Sequence, residues 1–224
     1  MFLALERIAA AFALGYVVLF ACLLAFTTDG PDPTLPVAEE KARAASESAA
    51  MRASALLGFG ATLAFTGFAV CLAIMLAKRG DHLGAALTAA AGGVTAAIDA
   101  VSAAGLVVAV EAADRDFSAD VFAAFGDLHT AALLLELAPL GCVLLLAWRA
   151  KLGRLVSWLG LIVGIGCIIG TGAVMSEEFD RGPLGIGVVI WFIGLPLWLI
   201  VTSVVLIRRS GRSTTALMQT PEAP

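Results

Sequence analysis

Six long hydrophobic stretches run through the sequence, separated by polar segments. Each stretch has about 20 or more residues, the length that an α-helix needs to cross about 30 Å of hydrocarbon. A helix satisfies its own backbone N–H and C=O groups, which lipid cannot do. The pattern therefore predicts an all-α polytopic membrane protein, a bundle of six transmembrane helices within residues 1–209. The predicted spans are residues 8–27, 54–77, 83–110, 122–148, 155–175 and 183–207.

The composition supports membrane insertion. Hydrophobic residues make up 60% of the chain and charged residues only 14%, so there is too little polar surface to cover a water-soluble globule. No basic patch with interleaved aromatic residues is found, so nucleic-acid binding is not predicted. The partner that the composition predicts is the lipid bilayer. The four cysteines all lie in apolar stretches without C-x-x-C spacing, and we interpret them as small hydrophobic residues.

Basic residues are distributed unequally between the two sets of connecting segments. Nine of the 14 Lys and Arg residues lie in the N-terminus, the 78–82 and 149–154 turns and the C-terminal tail. Most acidic residues lie in the other connections. Because basic residues concentrate on the cytoplasmic side of membranes, the sequence predicts that both termini are cytoplasmic.

The first external connection, residues 28–53, changes character along its length. It begins with residues that break helices and continues with strong helix formers. We expect the second span to extend outward as a helix for several turns, with Thr34 as a cap and Pro36 in its first turn. We interpret this segment as a solvated collar, and a lid over a ligand or partner is the alternative. The tail, residues 210–224, is polar and is predicted to be disordered.

Small residues and prolines in the last three spans predict close packing and bends. The fifth span holds two pairs of glycines with four-residue spacing, Gly160 with Gly164 and Gly166 with Gly170. This spacing lets helices approach each other closely in lipid. We interpret the glycines as packing sites within the chain, and a homo-oligomer contact is the alternative. Two prolines inside spans are expected to kink their helices: Pro139 and Pro196.

Polar residues at membrane depth are concentrated in the third and fourth spans. A helix rise of about 1.5 Å per residue puts Glu136, Thr95 and Thr66 about 18 Å above the cytoplasmic edge, near the bilayer centre. Asp99 and His129 lie higher, at about 25 and 28 Å. His129 and Glu136 are seven residues apart and share one helix face. A second stripe lies on the third span: Thr88, Thr95, Asp99 and Ser102.

The two polar stripes are expected to face each other as a buried seam, because a short connection makes the third and fourth spans antiparallel neighbours. No Lys or Arg lies within a predicted span, so Glu136 lacks a counter-charge. Our preferred interpretation is a hydrogen-bonded clasp between helices. The alternative is a proton- or cation-coupled pathway through Asp99, His129 and Glu136. A ligand or metal site is the third interpretation, but one imidazole at membrane depth does not predict a metal.

No motif for catalysis is present in the sequence. Neither G-x-S-x-G nor H-E-x-x-H occurs. The two histidines lie at different depths, so bis-histidine haem is not predicted, and a Schiff base would require a lysine within a span. The sequence predicts a non-enzymatic integral membrane protein without a cofactor and identifies no small-molecule ligand. A secondary transporter is the alternative, and a membrane-embedded enzyme comes third.

Several local features occur together along the chain. These are the six spans, the long first external connection, Leu128-His129 at the start of the fourth span and LGRLVSWLGLIVGIG at 152–166. This arrangement resembles an uncharacterised family of bacterial membrane proteins with six transmembrane helices, known as domain of unknown function 4386. The resemblance implies a location in the bacterial cytoplasmic membrane, and it implies no activity and no catalytic residues.

Overall fold

The computed structural model describes residues 2–26, 35–172 and 183–218, which form an all-helical bundle. A 3-10 turn, Trp148–Ala150, follows the sixth helix, and no strand occurs in the described ranges. The α-helices there are α1 (Phe2–Phe26), α2 (Val37–Ser46), α3 (Ser48–Ala77), α4 (His82–Asp114), α5 (Ala119–Leu135), α6 (Leu137–Ala147), α7 (Arg154–Thr171) and α8 (Pro183–Met218).

Six helical segments within the described ranges are long and apolar enough to cross a membrane. Five of them are single helices, and the fourth, Ala119–Ala150, combines α5, α6 and the 3-10 turn. The prediction of an all-α chain with six such helices is therefore confirmed. The spans pack in chain order, and α1 contacts both α3 and α8, so the six form a closed ring.

Apolar side chains fill most of the half of the bundle that is nearer the chain termini. Trp198 is fully buried and packs edge-on against Phe68, with ring centroids 5.5 Å apart. Its indole N–H donates a hydrogen bond to the carbonyl oxygen of Val156 at 2.9 Å. This half is therefore closely packed. Other large, fully buried side chains in the core include Phe65, Leu72, Met75, Leu76, Leu144 and Leu195.

The fourth span is interrupted at Glu136, between α5 and α6. The cause is Pro139, which has no N–H to donate to the carbonyl oxygen of Leu135. The neighbouring backbone bonds remain, since the Leu140 N–H donates to the Glu136 carbonyl at 3.2 Å. The second proline, Pro196, lies inside α8, which stays one continuous helix. The interruption thus coincides with the central carboxyl group of the span.

Several helical boundaries differ from the predicted ones, among them the start of the second span and the end of the last helix. The extension of the second span is helical but forms a separate helix, α2, because the chain leaves helical geometry at Glu47 with φ −109° and ψ 17°. Pro36 occupies the position before α2, and Thr34 lies outside the described residues. At the other end of the chain, α8 continues to Met218. Disorder was predicted for residues 210–224, and for the tail as a whole this stays a prediction, because residues 219–224 lie outside the described residues.

Ion pairs connect α2 and α3 to the end of α4. Lys41 Nζ lies 2.5 Å from Asp116 Oδ1, and this hydrogen bond holds the pKa of Asp116 below its usual range. Arg52 bridges two acidic residues of α4, lying 2.9 Å from Glu111 and also contacting Asp114. The Lys41 contact holds α2 against the end of the bundle away from the termini, and the Arg52 contacts join α3 to the same end of α4.

A second group of polar contacts lies at the end of the bundle that carries the termini. Arg149 Nε lies 2.5 Å from Asp81 Oδ2, and hydrogen bonding by this guanidinium lowers the pKa of Asp81. Asp81 also caps α4, because its Oδ1 accepts a hydrogen bond from the Gly84 N–H at 3.0 Å. Arg209 donates to the carbonyl oxygen of Lys151 at 2.9 Å. The connections at this end are thereby fixed to one another and to α8.

Candidate functional site

Two buried carboxyl groups meet near the middle of the bundle. Asp99 of α4 is 6% exposed, and Glu136, between α5 and α6, is 3% exposed. Their side chains lie close enough to interact with each other, and Asp99 also interacts with the hydroxyl of Thr62 on α3. One oxygen of each carboxyl, Asp99 Oδ2 and Glu136 Oε2, has no hydrogen-bond partner among the described residues. The pair is therefore only partly satisfied by the chain.

The direction of side chains along a helix explains why Asp99 meets Glu136. Counting residues separates their backbones by about 7 Å in depth. However, each Cα–Cβ bond tilts toward the N-terminus of its own helix. Because α4 runs antiparallel to the fourth span, the two side chains tilt toward each other and close this gap. The contact is thus a consequence of the antiparallel packing.

His129 pairs with Ser102 and not with Asp99, although its predicted depth was close to that of Asp99. Its Nδ1 lies 2.8 Å from Ser102 Oγ and 3.0 Å from the Ser102 carbonyl oxygen. Gly105 allows this close approach of α4 and α5, since a Cβ there would lie 3.2 Å from the His129 backbone nitrogen and from the Phe125 carbonyl oxygen. The two polar stripes therefore face each other, but His129 pairs with Ser102 and not with Asp99, the residue closest to its predicted depth.

The two predicted threonines make backbone contacts beside the carboxyl pair. Thr66 Oγ1 donates to the carbonyl oxygens of Thr62 at 2.9 Å and of Gly92 at 3.2 Å, which joins α3 to α4. Thr95 is fully buried and donates to the Ala91 carbonyl oxygen at 2.9 Å. The hydroxyls of Thr66 and Thr95 therefore bond to helix backbone. The threonine that contacts Asp99 is Thr62.

Sequence reasoning missed Thr62 and Tyr16 as members of this site. Tyr16 of α1 is buried and lies close enough to Glu136 and Asp99 to interact with them electrostatically. A signal for Thr62 was available, because it precedes Thr66 by four residues and shares its helix face. Tyr16 is the single tyrosine of the chain and lies in an otherwise apolar stretch, which was a weaker signal.

A cavity of about 260 Å³ lies beside the carboxyl pair, on the side that faces away from the chain termini. Asp99, Ser102 and His129 are part of its wall, whereas Glu136 is not. Asp99 therefore links the cavity to the deeper carboxyl group. The rest of the wall is mainly apolar and comes from α1, α3, α4, α5 and α8: Phe20, Leu23, Ala55, Phe59, Leu106, Leu133, Trp191 and Phe192 among others.

The predicted packing glycines all lie at contacts within the chain. A Cβ on Gly164 would lie 2.9 Å from the carbonyl oxygen of Gly141 on α6. A Cβ on Gly170 would lie 3.1 Å from the carbonyl carbon of Gly187 on α8. Such distances leave no room for a side chain, so α7 packs on its neighbours through backbone contacts. The other two predicted glycines face Trp198 and Ile190: Gly160 and Gly166.

The chemistry open to this site is proton binding. Two neighbouring carboxylates in an apolar interior repel each other and lack water, so we expect at least one of Asp99 and Glu136 to carry a proton. Neither carboxyl contacts a Lys or Arg among the described residues. Within residues 2–26, 35–172 and 183–218, no group of three or more His, Cys, Asp or Glu side chains is placed to hold a metal ion.

In comparisons of the chain with protein-family models, curated proteins and solved structures, no match was found.

Proposed function

We propose that this chain is a non-enzymatic integral membrane protein that works as a proton-linked carrier, with Asp99 and Glu136 as its proton-binding pair. The observation that carries the proposal is the direct contact between these two buried carboxyl groups. A clasp needs only one carboxyl, since an amide or hydroxyl partner makes an equivalent bond at a lower cost in lipid. Sequence alone favours the clasp, whereas the contact favours a site that gains and loses a proton.

The surroundings of the pair support a carrier with access from one side. Asp99 lines the cavity, and Glu136 lies deeper. Beyond the pair, toward the termini, the bundle is filled by the apolar core around Phe68 and Trp198. Transport would then require a second conformation that opens this packed half. The interruption at Glu136 provides a place where the fourth span can bend, since kinks concentrate at prolines and broken backbone bonds.

A structural clasp is the second candidate function. It is favoured by the polar contacts that join neighbouring helices at this level, Thr62 with Asp99 and Ser102 with His129. These contacts would hold α3, α4 and α5 together whether or not a proton moves. The clasp and the carrier differ in one measurable property, which is proton movement across the membrane.

The proposal includes a topology, with both termini in the cytoplasm and the protein in a bacterial cytoplasmic membrane. Its support is the excess of Lys and Arg in the connections beside the termini, together with the family resemblance. A reporter that works only in the cytoplasm should be active when fused after Arg212 and inactive when inserted at Gly30. The reverse activities at both positions would contradict this orientation.

Proton uptake by reconstituted protein tests the carrier directly. Purified protein in liposomes that contain a pH-sensitive dye is exposed to an acidic external medium, with a potassium diffusion potential to drive proton entry. We expect faster acidification than in protein-free liposomes, because the pair would carry protons across the bilayer. Acidification at the protein-free rate, with correctly folded protein present, would leave the clasp as the better account.

A further inference from the structure

The cavity beside Asp99 brings a buried carboxyl group together with a group of aromatic rings. Asp99 is buried, and its Oδ2 has no hydrogen-bond partner among the described residues. Phe20 and Phe192 have ring centroids 5.2 Å apart, and Trp191 lies within 6.3 Å of both. All four residues line the same cavity. A carboxyl group and three aromatic rings thus line one cavity.

We infer that this cavity binds a small organic cation, an ammonium ion that carries an apolar group. The ammonium group would donate to the Asp99 carboxylate and supply the counter-charge that Asp99 and Glu136 lack among the described residues. Aromatic rings attract cations through the negative potential of their faces, most strongly away from water. The apolar group would lie against Leu23, Leu106 and the rings. This inference rests on the proposed carrier, because it names the class of its substrate.

The size and polarity of the cavity limit the ligand further. Its volume of about 260 Å³ lies below the range of about 300–1,000 Å³ that is usual for drug-sized ligands. Trp191 also lines the cavity, and its buried indole N–H has no hydrogen-bond partner among the described residues. A small arylalkylamine is therefore a suitable probe, and 2-phenylethylammonium has a neutral counterpart of nearly equal size in 2-phenylethanol.

Calorimetric titration of the full chain in lipid nanodiscs tests the site, with empty nanodiscs as the control for partitioning into lipid. We expect 2-phenylethylammonium to bind and 2-phenylethanol to bind much more weakly. Asp99→Asn should weaken amine binding about 10- to 100-fold, because a hydrogen bond to a charged group is lost. Asp127→Asn is the matched control, since Asp127 is exposed on the same span as His129 and lies outside the cavity wall. This control should bind like the wild type.

A second variant reduces the volume of the cavity and leaves the Asp99 carboxyl group in place. Ala103 lines the cavity, so Ala103→Leu should fill part of it and reduce amine binding even if Asp99→Asn folds poorly. Equal binding of the amine and the alcohol, or amine binding unchanged in both variants, would overturn the cation site. Because binding is measured without proton movement, amine binding in a protein that takes up no protons would contradict the carrier alone. Proton uptake without amine binding would contradict the cation site alone.

Discussion

Replacing Glu136 by Gln should abolish protein-dependent proton uptake in liposomes while the bundle stays folded. The amide has nearly the same size and keeps a donor and an acceptor, so it can still bond to Asp99. It cannot take up or release a proton, so one of the two carboxyl groups of the proton-binding pair is lost. We expect uptake to fall to the rate of protein-free liposomes. A clasp would instead tolerate this change, because hydrogen bonds between helices in lipid average only about 0.6 kcal/mol.

Two further variants test whether proton uptake depends on this carboxyl pair or is lost on removal of any acidic side chain. Asp99→Asn should stop uptake to the same extent as Glu136→Gln, and combining the two should add nothing, because the carboxyls act as one site. Asp127→Asn removes an exposed carboxyl of the same span and should leave uptake unchanged. Wild-type uptake in Glu136→Gln would remove the pair from the mechanism.

Introducing a side chain at Gly141 should destabilise the bundle more than most single changes. A Cβ at this position would lie 2.7 Å from the carbonyl oxygen of Gly164 and 3.1 Å from Cys167 Cβ. The backbone of α7 would have to move, so Gly141→Ala should lower the free energy of unfolding by about 1–3 kcal/mol. Gly141→Leu adds three more carbons and should prevent α6 and α7 from packing. Thermal unfolding in detergent, followed by size-exclusion chromatography, measures both effects.

Gly93 provides the matched control for the change at Gly141. It also lies inside a membrane-spanning helix, α4, but a Cβ there would have no neighbouring atom within 4 Å. Gly93→Ala and Gly93→Leu should therefore unfold at about the wild-type temperature. If the Gly141 variants were as stable as the Gly93 variants, the close packing of α6 on α7 would be wrong.

The six spans could be predicted from sequence because lipid imposes a simple requirement on helix length and polarity. The ends of the helices were less predictable, because the chain can remain helical in water. For this reason α4 extends to Asp114 and α8 to Met218, beyond the apolar residues on which the predicted spans were based. The break at Glu47 was also missed, since it interrupts a stretch of good helix formers. Hydrophobicity therefore identified the spans but not their ends.

The polar residues of the site were predictable individually, but their pairing was not. Burial of Asp99 and Glu136 follows from their positions in apolar stretches. Their contact depends on the tilt of side chains along antiparallel helices, which a count of residue depth leaves out. The roles of Tyr16 and Trp191 depend on α1 and α8 closing the ring, and no local pattern reveals which spans become neighbours. Helical periodicity thus located the stripes, and the three-dimensional packing paired them.

The central claim is that Asp99 and Glu136 share a proton, and infrared spectroscopy of the purified protein in lipid tests it most directly. A protonated carboxyl group has a C=O stretching band that is distinct from that of a carboxylate and shifts in heavy water. We predict such a band near neutral pH in the wild type and in Asp127→Asn, and its shift or loss in both Asp99→Asn and Glu136→Gln. A band that is unchanged in either of the last two variants, or absent from the wild type, would contradict the account.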